Sequence, residues 1–131
     1  MIDLIRNIRR DRRGGPAVEM ALILPMLVVM LFAIIEIGRL MWTESVLHYA
    51  VSVAARCRAV DAVNCGTDAA AKTYALAKAI YVVNLATGNF TVSACTNGEK
   101  VSAAYTFTSK LLLLPSAFTV NVNPSSCYPV N

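Results

Sequence analysis

The sequence predicts an α+β fold: one long N-terminal helix, first apolar and then amphipathic, followed by a second short helix and a small antiparallel sheet. Three patterns carry the expectation. Residues Met20 to Ile35 contain no charge at all. The alanine-rich stretch from Asp68 to about Leu85 has strong helix propensity. Three later segments, around Phe90–Cys95, Val101–Thr108 and Phe118–Val122, alternate apolar and polar residues with the period of two that a half-buried strand requires.

Hydrophobic residues make up 56% of the 131 and charged residues 15%, which is more apolar than a soluble domain. Much of the excess lies in the early run. Its sixteen uncharged residues give about 24 Å of helix, a little short of an apolar core of about 30 Å. Val18 and Ile37 to Trp42 must complete a membrane span, with Trp42 at the outer interface. The expected organisation is a basic segment over 1–14, a transmembrane helix over 15–42, its exported extension over 43–66 and a small α+β domain over 67–131.

Net charge is +4 and unevenly placed. Arg6, Arg9, Arg10, Arg12 and Arg13 oppose only Asp3 and Asp11, so the first fourteen residues carry +3 and the rest +1. Arginines just before an apolar helix hold an N-terminus in the cytoplasm. The remainder shows no basic stripe, so no nucleic-acid partner is expected.

A secretory signal is cut after its apolar region, at small residues. Here that position reads Glu36-Ile37-Gly38-Arg39-Leu40-Met41-Trp42, and the small residues, Gly14-Gly15, lie before the run instead. The order is basic segment, glycine, retained apolar helix. Cleavage between Gly14 and Gly15 is favoured over cleavage after Gly15, which would leave the secondary amine of Pro16 as the new terminus. Proline at the second mature position is compatible with the first turn of a helix.

Glu19 then demands a reason, since a carboxylate in a spanning helix costs about 2.5–3.5 kcal/mol at mid-bilayer and less near an interface. A new amine on Gly15, one turn away, can neutralise it within a subunit or in a neighbour. Alternatively, Glu19 sits among headgroups and favours the positive end of the helix. Pro25 removes the hydrogen bond to the carbonyl of Ala21 and is expected to kink or loosen the helix. Glu36 and Arg39, three apart on one face, form either a local ion pair or a contact between subunits.

Taken together, Arg12-Arg13-Gly14, Glu19 at the fifth mature position, the run through Ile35 and Glu36-Ile37-Gly38-Arg39 resemble the N-terminus of TadE-like proteins. These are minor pilins, or pseudopilins, of the tight-adherence (type IVc) pilus system. The resemblance covers Arg12 to Trp42 and is architectural beyond it. It implies a pilin-like fold, a leader removed at Gly14 by a prepilin peptidase, a role for Glu19 in assembly, and function in pilus biogenesis or adhesion. The implied partners are that peptidase, a major pilin, other minor pilins and inner-membrane lipid. The implied location is the bacterial inner membrane, crossed once, with the N-terminus cytoplasmic, the C-terminal domain periplasmic and an extracellular pilus as the further destination. In such a chain Pro25 is either an ordinary membrane-helix proline or a weak point that lets the helix stretch on packing.

Beyond Trp42, Leu47, Ala50, Val51, Ala54 and Arg58 form a helical stripe that should continue to about Val60. Asn64-Cys65-Gly66 is expected to end it with left-handed-tolerant residues, and Thr67-Asp68 to cap a second helix whose inner face carries Leu76, Ile80 and Val83. Thr96-Asn97-Gly98-Glu99 predicts a type I′ hairpin turn within a three-stranded sheet. The run Leu111–Leu114 is expected to be buried in a crossover, and His48 to be a surface or boundary residue.

Cys57, Cys65, Cys95 and Cys127 all follow the apolar run, and an even count in a small exported domain predicts disulfides, with free buried thiols as the alternative. No CxxC pair exists and His48 is the single histidine, so no zinc site is expected. The favoured pairs are Cys95–Cys127 and Cys57–Cys65, contributing roughly 3.7 and 2.6 kcal/mol on the chain-entropy model. The second pair requires the helix to stop near Val60, because eight residues of unbroken helix would hold the cysteines about 12 Å apart. No nucleophile–base grouping, phosphate loop or dinucleotide fingerprint is present, so neither enzyme activity nor a cofactor is expected. Two rivals to an assembly role are a signal-anchored periplasmic binding module and a small exported hydrolase; the latter would bring polar residues together in a pocket.

Overall fold

The computed structural model describes residues 15–109 and 118–130. The chain divides into two compact units, 1–35 and 36–131. The expected leader, including Gly14, and the Leu111–Leu114 run lie outside the described residues.

Helix α1, Gly15–Val60, runs through Pro25 and contributes to both units. Up to Ile35 none of its residues is buried. From Thr43 onward it buries Thr43, Leu47, Ala50, Val51, Ala54 and Ala55: the apolar part of the expected stripe with Thr43 and Ala55 added, while Arg58 at its end is only partly buried. The helix stops because Asp61 leaves helical geometry (φ −114°, ψ 85°) and turns its carboxylate onto the next turn. It accepts the amides of Val63 at 3.1 Å and Asn64 at 3.0 Å, capping the short helix α2, Ala62–Cys65.

That break brings Cys57 and Cys65 to a Cα separation of 5.7 Å, and they form a disulfide. The terminator is therefore Asp61, not the expected Asn64-Cys65-Gly66. Gly66 is not left-handed (φ −65°); it is needed for space, since a Cβ there would strike the carbonyl of Ala62.

Helix α3, Asp68–Lys78, begins as expected, with the Thr67 hydroxyl accepting the Ala70 amide at 3.2 Å. Its end and inner face differ from expectation. It closes at Lys78, and the buried positions are Ala71 and Ala75, continued by Ala79 and Val82 in the following turn. Leu76 is half-buried, while Ile80 and Val83 are exposed. Small side chains let the helix approach the core closely, and burial followed backbone proximity rather than side-chain size. Past Lys78, Asn84 adopts φ 61°, and the Tyr105 hydroxyl donates to the Val83 carbonyl at 2.8 Å. A 3-10 turn, Thr87–Asn89, leads into the strands.

The expected single sheet is two. Strands β1 (Phe90–Cys95), β2 (Gly98–Ala103) and β5 (Ser125–Pro129) form one sheet in the order β1-β2-β5, and β3 (Tyr105–Thr108) pairs with β4 (Thr119–Val122) in another. All pairings are antiparallel. Alternation from Val101 to Phe107 persists in burial, but Ala104 interrupts the ladder. Its amide donates to the Asn89 carbonyl at 2.8 Å, and its own carbonyl accepts from the Asn89 side chain at 2.9 Å. With both its backbone groups held by Asn89, Ala104 joins neither strand.

The β1–β2 hairpin also turns one residue earlier than expected. Cys95 pairs with Gly98, so Thr96 and Asn97 form the loop; Asn97 takes φ 62°, and Gly98 does not have positive φ. Gly98 is needed because β5 passes close by: a Cβ would lie 2.8 Å from the Pro129 Cα and strike the Tyr128 carbonyl. Strand β5 lies outside the three segments expected as strands; it carries Cys127 to Cys95, and these form the second disulfide at a Cα separation of 6.3 Å. The core of this unit joins Leu47, Ala50, Val51, Ala54 and Ala55 of α1 to Ala75, Ala79, Phe90, Val101 and Val122.

Candidate functional site

In the first unit, Gly15 opens α1, Glu19 lies one turn on, and both are exposed. Among the described residues of this unit the apolar side chains beyond them are largely uncovered: Leu22 is 75% and Met26 79% exposed. Each such side chain left in water forgoes about 1.5–3 kcal/mol of burial, so this surface requires lipid or other apolar helices around it. Among the described residues, one helix, Gly15–Val60, is long and apolar enough to cross a membrane.

The second unit begins with a charged junction. Arg39 donates to both carboxylate oxygens of Glu36 at 2.9 Å, the local pair that their spacing allows. Its guanidinium also lies 5.7 Å from the centre of the Phe107 ring, a cation–π contact that ties the helix to β3. Buried Thr43 donates its hydroxyl to the Arg39 carbonyl at 2.9 Å. Arg39, Asn84, Asn89, Thr106 and Phe107 line an open cavity of about 330 Å³.

Arg58 is the feature sequence reasoning missed. It donates to the Gly66 carbonyl at 2.7 Å and lies 3.3 Å from the Asp68 carboxylate and 3.9 Å from that of Glu99. One cation thus links the end of α1, the start of α3 and strand β2. Read along the sequence, Arg58 only ended an apolar stripe; partners up to forty-one positions away leave no local signal. Nearby, the Asp61 carboxyl is held below the usual carboxylate range, first by the Asn64 side-chain amide and then by the backbone amides it caps.

Glu44, His48 and Ser125 line a second open cavity, of about 340 Å³. All three are exposed and no side-chain hydrogen bond joins any two of them, so they do not form a nucleophile–base relay. Among the described residues, no group of three or more His, Cys, Asp or Glu side chains is placed to hold a metal ion.

These features define a class: a small disulfide-bonded α+β unit preceded in the chain by an apolar helical stretch long enough for a membrane anchor. Residues 14–56, about a third of the chain, match the family model described as TadE-like protein, and that segment is similar to the family. The match takes in Gly14, Gly15, Glu19, the whole apolar run and the amphipathic part of α1 as far as Arg56. The TadE-like family suggests a structural, Tad-pilus-associated protein that interacts with pilus components. No curated protein and no solved structure matches the chain.

Proposed function

We propose that the protein is a minor pilin, or pseudopilin, of a Tad (type IVc) pilus, matured by a prepilin peptidase that cuts between Gly14 and Gly15. The observation that carries this reading is one acidic side chain, Glu19, set one turn inside the stretch 15–35 of α1, which is otherwise uncharged and whose apolar side chains are largely exposed among the described residues. Cleavage creates a cationic amine on Gly15. Paired with Glu19, in the same subunit or in the next, it removes most of the penalty of holding a carboxylate in lipid. Helices then dock in a defined register as the chain leaves the bilayer. The N-terminus lies in the cytoplasm, the unit from Glu36 onward lies in the periplasm, and both disulfides form there. The prepilin peptidase, a major pilin and other minor pilins are its partners.

The rival is a signal-anchored binding module that never enters a filament. The self-contained core and disulfides of the 36–131 unit favour it, because they need no neighbouring subunit. Glu19 separates the two readings. Glu19→Ala is expected to leave membrane insertion unchanged and to abolish recovery of the protein with sheared pili. Unchanged recovery would establish the tethered module instead.

A further inference from the structure

We infer that the outer edge of β3 docks an extended peptide strand from another protein, one that places an acidic side chain beside Arg39. Every residue involved lies in the 36–131 unit. Strands β3 and β4 form a two-stranded sheet, so β3 has one edge without a partner strand. In an antiparallel pair, residues that exchange backbone bonds with the partner alternate with residues whose N–H and C=O point away. The Ser109 amide donates to the Phe118 carbonyl and the Ala103 amide to the Pro124 carbonyl, in register with Phe107↔Val120 and Tyr105↔Val122. Ala104, Thr106 and Thr108 therefore direct their backbone groups to the outer edge.

The first of these three rungs is already made. Asn89 accepts from the Ala104 amide at 2.8 Å and donates its side-chain amide to the Ala104 carbonyl at 2.9 Å, as a residue of an adjoining strand would. The next two, Thr106 and Thr108, stand about 7 Å apart and line the open cavity of about 330 Å³ beside Arg39 and Asn84. Among the described residues, no turn or loop bond fills either rung. Unpaired edges are ordinarily blunted by proline or charge. Strand β5 is bounded by Pro124 and Pro129, and Pro124 also stands two residues after β4, whereas β3 contains neither proline nor a charged residue.

The cavity also selects the chemistry of the strand. A peptide bonded to Thr106 and Thr108 sets its middle residue opposite Phe107 and on the same face as Phe107. Arg39 lies there, 5.7 Å from the centre of the Phe107 ring and half exposed. It is the single charged side chain among the described residues that line the cavity. Glu36 engages it through one nitrogen, Nη1, and the guanidinium fork keeps further donors for a second carboxylate. The partner segment is thus an aspartate or glutamate between uncharged residues in extended conformation.

The test is amide hydrogen exchange by nuclear magnetic resonance on the full chain in detergent micelles, with the peptide acetyl-Thr-Val-Glu-Val-Thr-amide as probe. Saturating peptide should slow exchange at Thr106 and Thr108 about tenfold or more and leave Phe107, already bonded to β4, unchanged. Replacing the glutamate of the peptide by glutamine should weaken binding to the unaltered chain about fivefold. Thr108→Pro, which removes one outward N–H and spares the bonds to β4, should weaken binding about tenfold. Unchanged exchange at both threonines with millimolar peptide would overturn the inference, and equal binding of the two peptides would remove Arg39 from it. Protection of Thr106 and Thr108 before peptide is added would overturn it as well: protection lost on dilution assigns the edge to a second copy of the chain, and protection that persists assigns it to the chain itself.

Discussion

Between Met20 and Ile35, helix α1 buries nothing in its unit, whereas between Thr43 and Ala55 it buries six side chains on one stripe. The two stretches share one backbone element and differ in what surrounds them. A helix with apolar surroundings on every side needs no polar face, so its sequence loses helical periodicity. A helix with a core on one side and water on the other keeps it. The lesson is that the same secondary structure is written in two different codes, and the change of code near Glu36–Arg39 marks where the folded unit begins.

Core truncation should break the symmetry of that comparison most. Phe90→Ala removes a fully buried ring and should destabilise the 36–131 unit by about 3–5 kcal/mol. Leu22→Ala should leave its unfolding midpoint unchanged, in near-ultraviolet circular dichroism of the full chain in detergent. Next come the disulfides. Replacing Cys95 and Cys127 together by alanine should cost about 3.7 kcal/mol, and replacing Cys57 and Cys65 about 2.6 kcal/mol, by thermal unfolding. Equal losses would remove loop length as the explanation.

Arg58→Met should cost about 1–2 kcal/mol by denaturant unfolding, through loss of the bond to the Gly66 carbonyl and of the two carboxylate contacts. The smallest effect concerns Asp61, whose folded pKa is depressed. Its ionised form stabilises the fold above the unfolded value of 3.8, and that contribution is lost as pH falls through the lower folded value. The stability gap between wild type and Asp61→Asn should therefore narrow on acidification below that range, in unfolding curves taken across pH. A gap that widens in acid would contradict the sign.

What could be read from the sequence was what local patterns encode. The extent of α1, the start of α3 and the Leu47–Ala54 stripe follow from spacing along the chain, and the two cysteine pairs favoured among the alternatives are the ones that form. The split into two sheets did not, because it depends on Asn89 reaching Ala104 across fifteen positions. Strand β5 was hidden between Pro124 and Pro129, which read as loop. The inner face of α3 was misjudged for a related reason: large apolar residues at helical spacing attracted the assignment, while alanines took the core. In the candidate site, Gly14, Gly15, Glu19 and the Glu36–Arg39 pair stood out as exceptions to their surroundings. Arg58 did not, since an arginine ending an amphipathic stripe is ordinary until its partners are known.

The central claim is that a cationic amine arises at Gly15, one turn from Glu19. Intact-mass measurement of membrane-extracted protein, from cells with and without an active prepilin peptidase, tests it directly. The account predicts a chain beginning at Gly15 when the peptidase is active and a heavier chain retaining Gly14 and the residues before it when the peptidase is absent. A chain that keeps those residues in both strains would contradict it.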